Sequence, residues 1–494
     1  MFVDVQADFS EGSTLNQQKK IFLSKNTYHK KQQDSIQRLH DSVSLPKQAS
    51  HNEERNSDAT NLEKVLLIAA RMYQSPMTGR IGHGYAVDPF CTHAMSVTAS
   101  VDMYLYHYRL HITSATYPVD ATRIHTWWWQ KAIASETLLQ IFVFLAAGHM
   151  AMLQSTSGVS SDVIQKSTRD CLHFRIKAIQ CLNGLLRDLV RGVADSTVLI
   201  VSTLLIIEAL NADFESLETH TQGLKTLIAL IGGLEALEHM TLNTVYTSVN
   251  ITAALRNSAP SLPILPHFRN QILLEPTVFN GRDIEYKCEV PTALAQLATR
   301  FHSAVWSREM HPSINYRIDV LRRLVIHHEL GKLSSANTVS ATDNDLFVLW
   351  QHQMHCIHYA SDTPNLNEPI RLTLLVYLFM RVSRLGNYPI MQYMVERLKM
   401  SLDGISYFQT TAPDLLFWIL LIGGMASQGQ PSHPWFVLQL GVVARSLGLK
   451  DWVDVRALLG KFFYADQPGD MAGEDVWNEA LTGSFRYIAP NPTA

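Results

Sequence analysis

Residues 414–424 read Asp-Leu-Leu-Phe-Trp-Ile-Leu-Leu-Ile-Gly-Gly, and Pro434-Trp435-Phe436, Trp452 and Trp477 follow. An apolar run closed by a Gly pair, then aromatic anchors at helical spacing, describes helices that bury Trp against one another. The run starts well as a helix: Thr411 precedes Pro413, which the first turn tolerates, and Asp414 favours the positive end of the dipole.

The same period recurs upstream. Leu172, Ile176, Ile179, Leu182, Leu186 and Leu189 step by three and four, which predicts one apolar stripe of a long helix. Arg175 falls inside that stripe, so its stem is expected to pack there while the guanidinium reaches water or an acid. The stretch from Ser196 to Asn211 is apolar nearly all round, the pattern of a central helix covered on both sides. Ser216 and Thr219 begin a further helix that closes at Gly232-Gly233. Past Pro291, helices are expected over 293–306, 316–333, 343–358, 371–382 and 391–402. No alternating apolar and polar series is present, so the fold class is all-α, two lobes of stacked antiparallel helices.

Length supports two lobes, because 494 residues exceed the size at which a single core stops growing. Pro260, Pro263, Pro266 and Pro276 interrupt the helical pattern and place a linker at 257–291. The first lobe is then 61–256 and the second 292–494. Residues 1–60 are polar and read as a flexible segment. Between 19 and 38 it holds Lys19, Lys20, Lys25, Lys30, Lys31 and Arg38 against one acid, Asp34. That stretch is a solvated tail or a nucleic-acid or import segment.

A net charge of −3 gives no global attraction to nucleic acid or anionic lipid. The apolar runs Leu138–Met152, Val198–Leu210 and Leu415–Met425 fall short of the ~20 residues that span a bilayer, so no membrane partner is expected. Residues 1–20 offer no secretory signal. Five widely spaced Cys make no disulfide framework.

Candidate chemistry is sparse. His352, His355, Cys356 and His358 form the densest group of ligand-type residues, but no second cluster at metal spacing completes a site beyond His327-His328. Trp127, Trp128 and Trp129 fan round a helix, as packing against two neighbours requires, or as one wall of a small-effector pocket. Gly79, Gly82 and Gly84 lead into Asp88-Pro89-Phe90 and not into a strand, loop and helix unit. His-Glu-x-x-His, Gly-x-Ser-x-Gly and Asp-Asp are all absent from the sequence. No catalytic residue, metal or cofactor is therefore assigned.

Asp88-Pro89-Phe90, His220 with Gly223 and the Gly232-Gly233 pair, and then Trp418, Gly423-Gly424, Trp435-Phe436 and Trp477 together resemble the helical domain of fungal-specific transcription regulators. Phe2-Val3 and the basic stretch after it are similar to the start of the subgroup that lacks a zinc binuclear cluster. Such a cluster needs six thiolates close together, whereas the first of the five Cys here is Cys91. The resemblance implies structural roles for these positions and a non-enzymatic, nuclear regulator with a helical effector or partner-binding domain. Other transcription regulators are the expected partners, DNA and a small-molecule effector being further ones. The alternatives are a co-regulator or scaffold that does not touch DNA and a helical enzyme of secondary metabolism.

Overall fold

In a computed structural model of the chain, the described residues are 98–112, 121–157, 159–188, 192–273, 290–302, 310–333, 343–357, 366–403, 412–465 and 471–486. Among them there are helices and no strand, so the all-α expectation holds. Helix α1 (Ala99–His107) runs into a π turn (Tyr108–Ile112), followed by α2 (Ala121–Ile133), α3 (Glu136–Thr156) and α4 (Ser161–Leu186). Next come α5 (Asp195–Leu210), α6 (Phe214–Leu230), α7 (His239–Arg256), α8 (Pro266–Leu273) and the short α9 (Thr292–Ala295). The remainder is α10 (Pro312–Leu333), α11 (Asp343–His355), α12 (Asn367–Tyr377) with a second π turn (Leu378–Val382), and α13 (Pro389–Ser401). The tail holds α14 (Pro413–Ala426), α15 (His433–Ser446), α16 (Trp452–Leu459) and α17 (Ala472–Arg486).

The chain divides into two compact units, Met1–Gly84 with Leu153–Gln165, and Tyr85–Met152 with Lys166–Ala494. Of the first unit the described part is the last turn of α3 and the first of α4, where Ser157 Oγ donates to the Leu153 carbonyl and Gln165 Nε2 to Ser161 Oγ.

The second unit is organised round α5, whose residues from Thr197 to Leu210 are all buried, because α6 and α7 pack against it and α13 adds a further contact. Its neighbour α6 starts two residues before the expected Ser216, since Asp213 accepts from the Ser216 backbone N–H at 3.2 Å and caps the helix earlier. It ends at the Gly pair. Gly233 N–H donates to the Ile228 carbonyl at 2.8 Å and Gly232 N–H to Ala229 at 3.3 Å, a Schellman closure with both glycines at positive φ. Helix α7 is buried along almost its whole length and is closed by cations. Arg397 donates to the Ala254 and Leu255 carbonyls, and Arg371 to Asn257 Oδ1 at 3.0 Å. Arg371 is itself fully buried, and its charge is met by Glu368 at 2.5 Å and the Met354 carbonyl at 3.1 Å.

Contacts run across the 257–291 segment. Asn243 donates to Asp345 at 2.8 Å and Asn250 to the Val348 carbonyl at 2.9 Å, so α7 is bonded to α11. Within that segment α8 buries Phe268, which meets the Tyr246 ring edge-on.

In the tail, α14 is buried from Leu415 to Ala426 and is covered by α12, α13, α15 and α17. Pro413 and Asp414 do occupy its first turn. Trp418 donates to the Phe463 carbonyl at 3.1 Å and lies among Phe301 and Phe462.

Three expectations need correcting. The buried line of α4 is Ser167, Phe174, Ala178 and Leu182, whereas Leu172 and Ile176 of the predicted stripe are about 40% exposed, at 41% and 39%. Small side chains let neighbours approach on the true face: Cys171 Sγ would lie 3.3 Å from a Cβ on Gly148. The helix expected over 293–306 is instead α9 and a 3₁₀ turn (Thr299–His302), with Ala298 at φ 62° between them. The N–H groups of Ala298 and Arg300 are taken by the Phe462 and Lys461 carbonyls, and a continuous helix would leave those bonds unmade. Finally, α3 spans 21 residues and is long and apolar enough, by length and composition, to cross a membrane. Its stretch from Thr137 to Ala147 is buried within the protein.

Candidate functional site

A small, partly open space in the second unit lies where the end of the first π turn, α3, α5 and the segment after the second π turn meet. Ile112, Leu145, Ile206, Leu210 and Leu385 supply its hydrocarbon wall, and His149 and Tyr388 its polar atoms. As it stands the cavity has room for about one water molecule.

His149 Nδ1 and His107 Nε2 are 2.7 Å apart, so one ring donates to the other. His111, one turn after His107, has its ring 4.7 Å from the His107 ring. Burial, with His149 and His111 alongside, holds His107 down at about 3, and burial with His111 nearby holds His149 at about 4. Both rings are neutral at pH 7. Tyr388 stacks on His149 with ring centroids 6.0 Å apart and planes 21° apart. Burial pushes its hydroxyl well above the usual phenol range.

Behind this wall lies a polar tie between α4, α5 and α6. Arg175 Nη2 reaches Glu208 at 3.0 Å, Asp213 at 2.9 Å and Ser216 Oγ at 3.0 Å, which meets the expectation that its head finds an acid. Glu208 is pushed up to about 7 by burial, which outweighs Arg175. In Asp213 burial is overcome by the Ser216 N–H and O–H and by Arg175, and the carboxyl sits below its ordinary value. Two carboxylates on one cation thus titrate apart, the buried one holding its proton near neutrality. Cys171 is pushed up to about 11 by burial, so this thiol is protonated.

The candidate positions read from the sequence fall in two groups. His220 and Gly223 are buried on α6, and burial holds His220 at about 4. Gly232 and Gly233 end that helix. Trp418, Gly423 and Gly424 are buried on α14, where Gly423 meets Phe436 and Gly424 meets Val476 beside the buried Trp477. Trp435 is half-buried and edge-on to Phe436. Lys19, Lys20, Lys25, Lys30, Lys31, Arg38, Asp88, Pro89 and Phe90 lie outside the described residues.

Trp128 is buried, while Trp127 donates to Glu238 at 2.9 Å and Trp129 lies under Arg109, so the three rings serve different neighbours. His352 Nε2 donates to the Leu262 carbonyl at 2.9 Å, which commits that ring to backbone; His358 is outside the described residues. Among the described residues no group of three or more His, Cys, Asp or Glu is placed to hold a metal ion. Ser427, His433 and Glu479 have the residue types of an acyl-transfer triad, with contacts of 3.2 and 2.8 Å. Yet His433 Nδ1 lies 3.0 Å from the Gly424 carbonyl, to which Ser427 Oγ also donates. An Nδ1–H turned to that carbonyl cannot take a proton from Ser427, and the trio closes the end of α14.

The cavity and the Arg175 tie were not legible as sites, since His149 and Tyr388 are 239 residues apart, the one in an apolar run and the other between the helices expected over 371–382 and 391–402. Residues 103–263 match the model of the fungal specific transcription factor domain. The match spans α1 to α7, including His220, Gly223 and the Gly232-Gly233 pair; the tail positions from Trp418 onward lie beyond it. No curated protein and no solved structure matches the chain.

Proposed function

We propose that this chain is a transcription-regulator-like nuclear protein whose helical domain receives a signal, from another regulator or a small molecule, and passes it on by repacking its helices. The observation that carries the reading is the domain match over 103–263, which covers the first π turn, α3 and α5 of the cavity wall and the residues of the Arg175 tie. The Arg175 tie joins three of these helices through Glu208, Asp213 and Ser216, so a change in it would be felt by all three. The role is regulatory and not catalytic, as is general for this domain.

Two routes to a promoter are open to such a protein. Direct contact would use Lys19 to Arg38 on phosphate; otherwise the chain acts through a partner regulator.

The test is deletion of the gene with transcript profiling, and imaging of the tagged protein across growth conditions. Changed transcripts and nuclear signal are expected. A protein that stays outside the nucleus in every condition, with an unchanged transcriptome on deletion, defeats the reading. A gel-shift salt series then separates the routes, because phosphate contact by the basic stretch loses affinity steeply with salt.

A further inference from the structure

We propose that the cavity between the first π turn, α3, α5 and Tyr388 binds a small uncharged molecule that is mostly hydrocarbon and carries one hydroxyl or carbonyl oxygen. Tyr388 is 7% exposed and lines the space, so its hydroxyl is the donor and acceptor that an oxygen in the cavity would engage. His149, stacked on Tyr388 and engaged through Nδ1 by His107, is the second polar residue of the lining.

The chemistry of the wall selects the rest of the ligand. Ile112, Leu145, Ile206 and Leu210 present only hydrocarbon, and among the described residues no carboxylate, ammonium or guanidinium lines the space. A charged guest would lose its hydration without a counter-charge. The neutral state of His149 at pH 7 points the same way.

Room for about one water is the resting size, and the walls able to change it are the irregular ones. Ile112 ends one π turn; Leu385 and Tyr388 follow the other, and Arg384 beside them sits at φ 53°. A π turn carries one residue more than α-helical register holds, so its relaxation shifts the wall it supports. A guest larger than water is admitted by that shift.

This ligand class deepens the receiver role proposed above and rests on it for its meaning in the cell, whereas binding is measured on the purified full chain. Calorimetric titration with cyclopentanol, cyclopentane and cyclopentanecarboxylate separates body, oxygen and charge. Cyclopentanol should bind saturably, and Tyr388→Phe should weaken it about five- to tenfold while cyclopentane binding is unchanged. The carboxylate should not bind, and Leu210→Phe or Leu145→Phe, each confirmed folded by circular dichroism, should fill the space and abolish binding. The proposal is overturned if the parent shows no saturable cyclopentanol binding, if Tyr388→Phe binds it as the parent does, or if the carboxylate binds equally well. Binding as expected with no transcriptional consequence of deletion would overturn the receiver role and leave the site standing.

Discussion

Gly423 of α14 lies against the ring of Phe436 on α15, so closely that a Cβ on the glycine would overlap ring carbons Cε1 and Cδ1. The next residue, Gly424, would bring a Cβ within 2.8 Å of Val476 Cγ1 on α17. The pair therefore sets how near two helices come to α14. Gly423→Ala should destabilise the protein by about 1–3 kcal/mol through overpacking. Phe436→Leu in the same molecule should recover part of that loss, a coupling that urea unfolding of the single and double variants reads directly. A Gly423→Ala protein as stable as the parent would refute the close approach.

Trp418 is fully buried and bonded through Nε1 to the Phe463 carbonyl, so it acts both as volume and as a donor. Trp418→Ala should cost about 3–5 kcal/mol by leaving a large void. Trp418→Phe keeps much of the volume but orphans the carbonyl, and should cost about 1–3 kcal/mol. Equal losses in the two variants, measured by denaturant unfolding, would mean that the hydrogen bond and not the packing governs this position.

The end of α6 depends on backbone that other residues adopt at a cost. Gly233 has φ 101° and ψ 179°, a region open to glycine and almost closed to a residue with Cβ. Gly233→Ala should cost on the order of 1–3 kcal/mol. Gly184, inside α4, supplies a control of opposite sign, because a Cβ there would meet no described atom within 4 Å. Gly184→Ala should raise stability by about 0.5 kcal/mol through helix propensity. Thermal unfolding of both variants checks the pair, and a neutral Gly233→Ala would remove the strain argument.

Helix positions were legible where one residue type decides them. The apolar stretch Val198–Leu210 allowed only a covered helix, and Gly232-Gly233 allowed a left-handed stop. The face of α4 was not legible, because counting aliphatic residues picks Leu172 and Ile176, while the buried line uses Ser167, Phe174 and Ala178. What fixes that face is the neighbour, here Tyr104, whose ring meets Phe174 at 5.9 Å and whose hydroxyl donates to Asp170 at 2.8 Å. The break at Ala298 was hidden for the same reason, since its cause is the distant carbonyl of Phe462. The candidate site is the extreme case. Glu208 sits in a run that reads as core, and its burial there is what raises it, while its partner Arg175 comes from a helix 33 residues away in sequence.

Two buried groups should tilt stability in opposite senses on the acid side of neutrality. Glu208 holds its proton up to about 7 in the folded chain, above its unfolded value of 4.5. Its contribution is therefore complete below about 4.5 and is lost as pH rises from there to about 7, by at most about 3 kcal/mol, with no further change above. Buried His220 titrates at about 4, below its ordinary 6.5. That contribution is complete above 6.5 and is lost as pH falls toward 4, with a slope of at most about 1.4 kcal/mol per pH unit. Glu208→Gln should thus make stability rise more steeply with pH between about 4.5 and 7, and His220→Gln should make it rise less steeply between about 4 and 6.5, the buried His107 and His149 retaining the remainder. Urea midpoints from pH 4.5 to 8.5 read both slopes. Profiles that stay parallel to the parent in both variants would show that neither group is linked to folding.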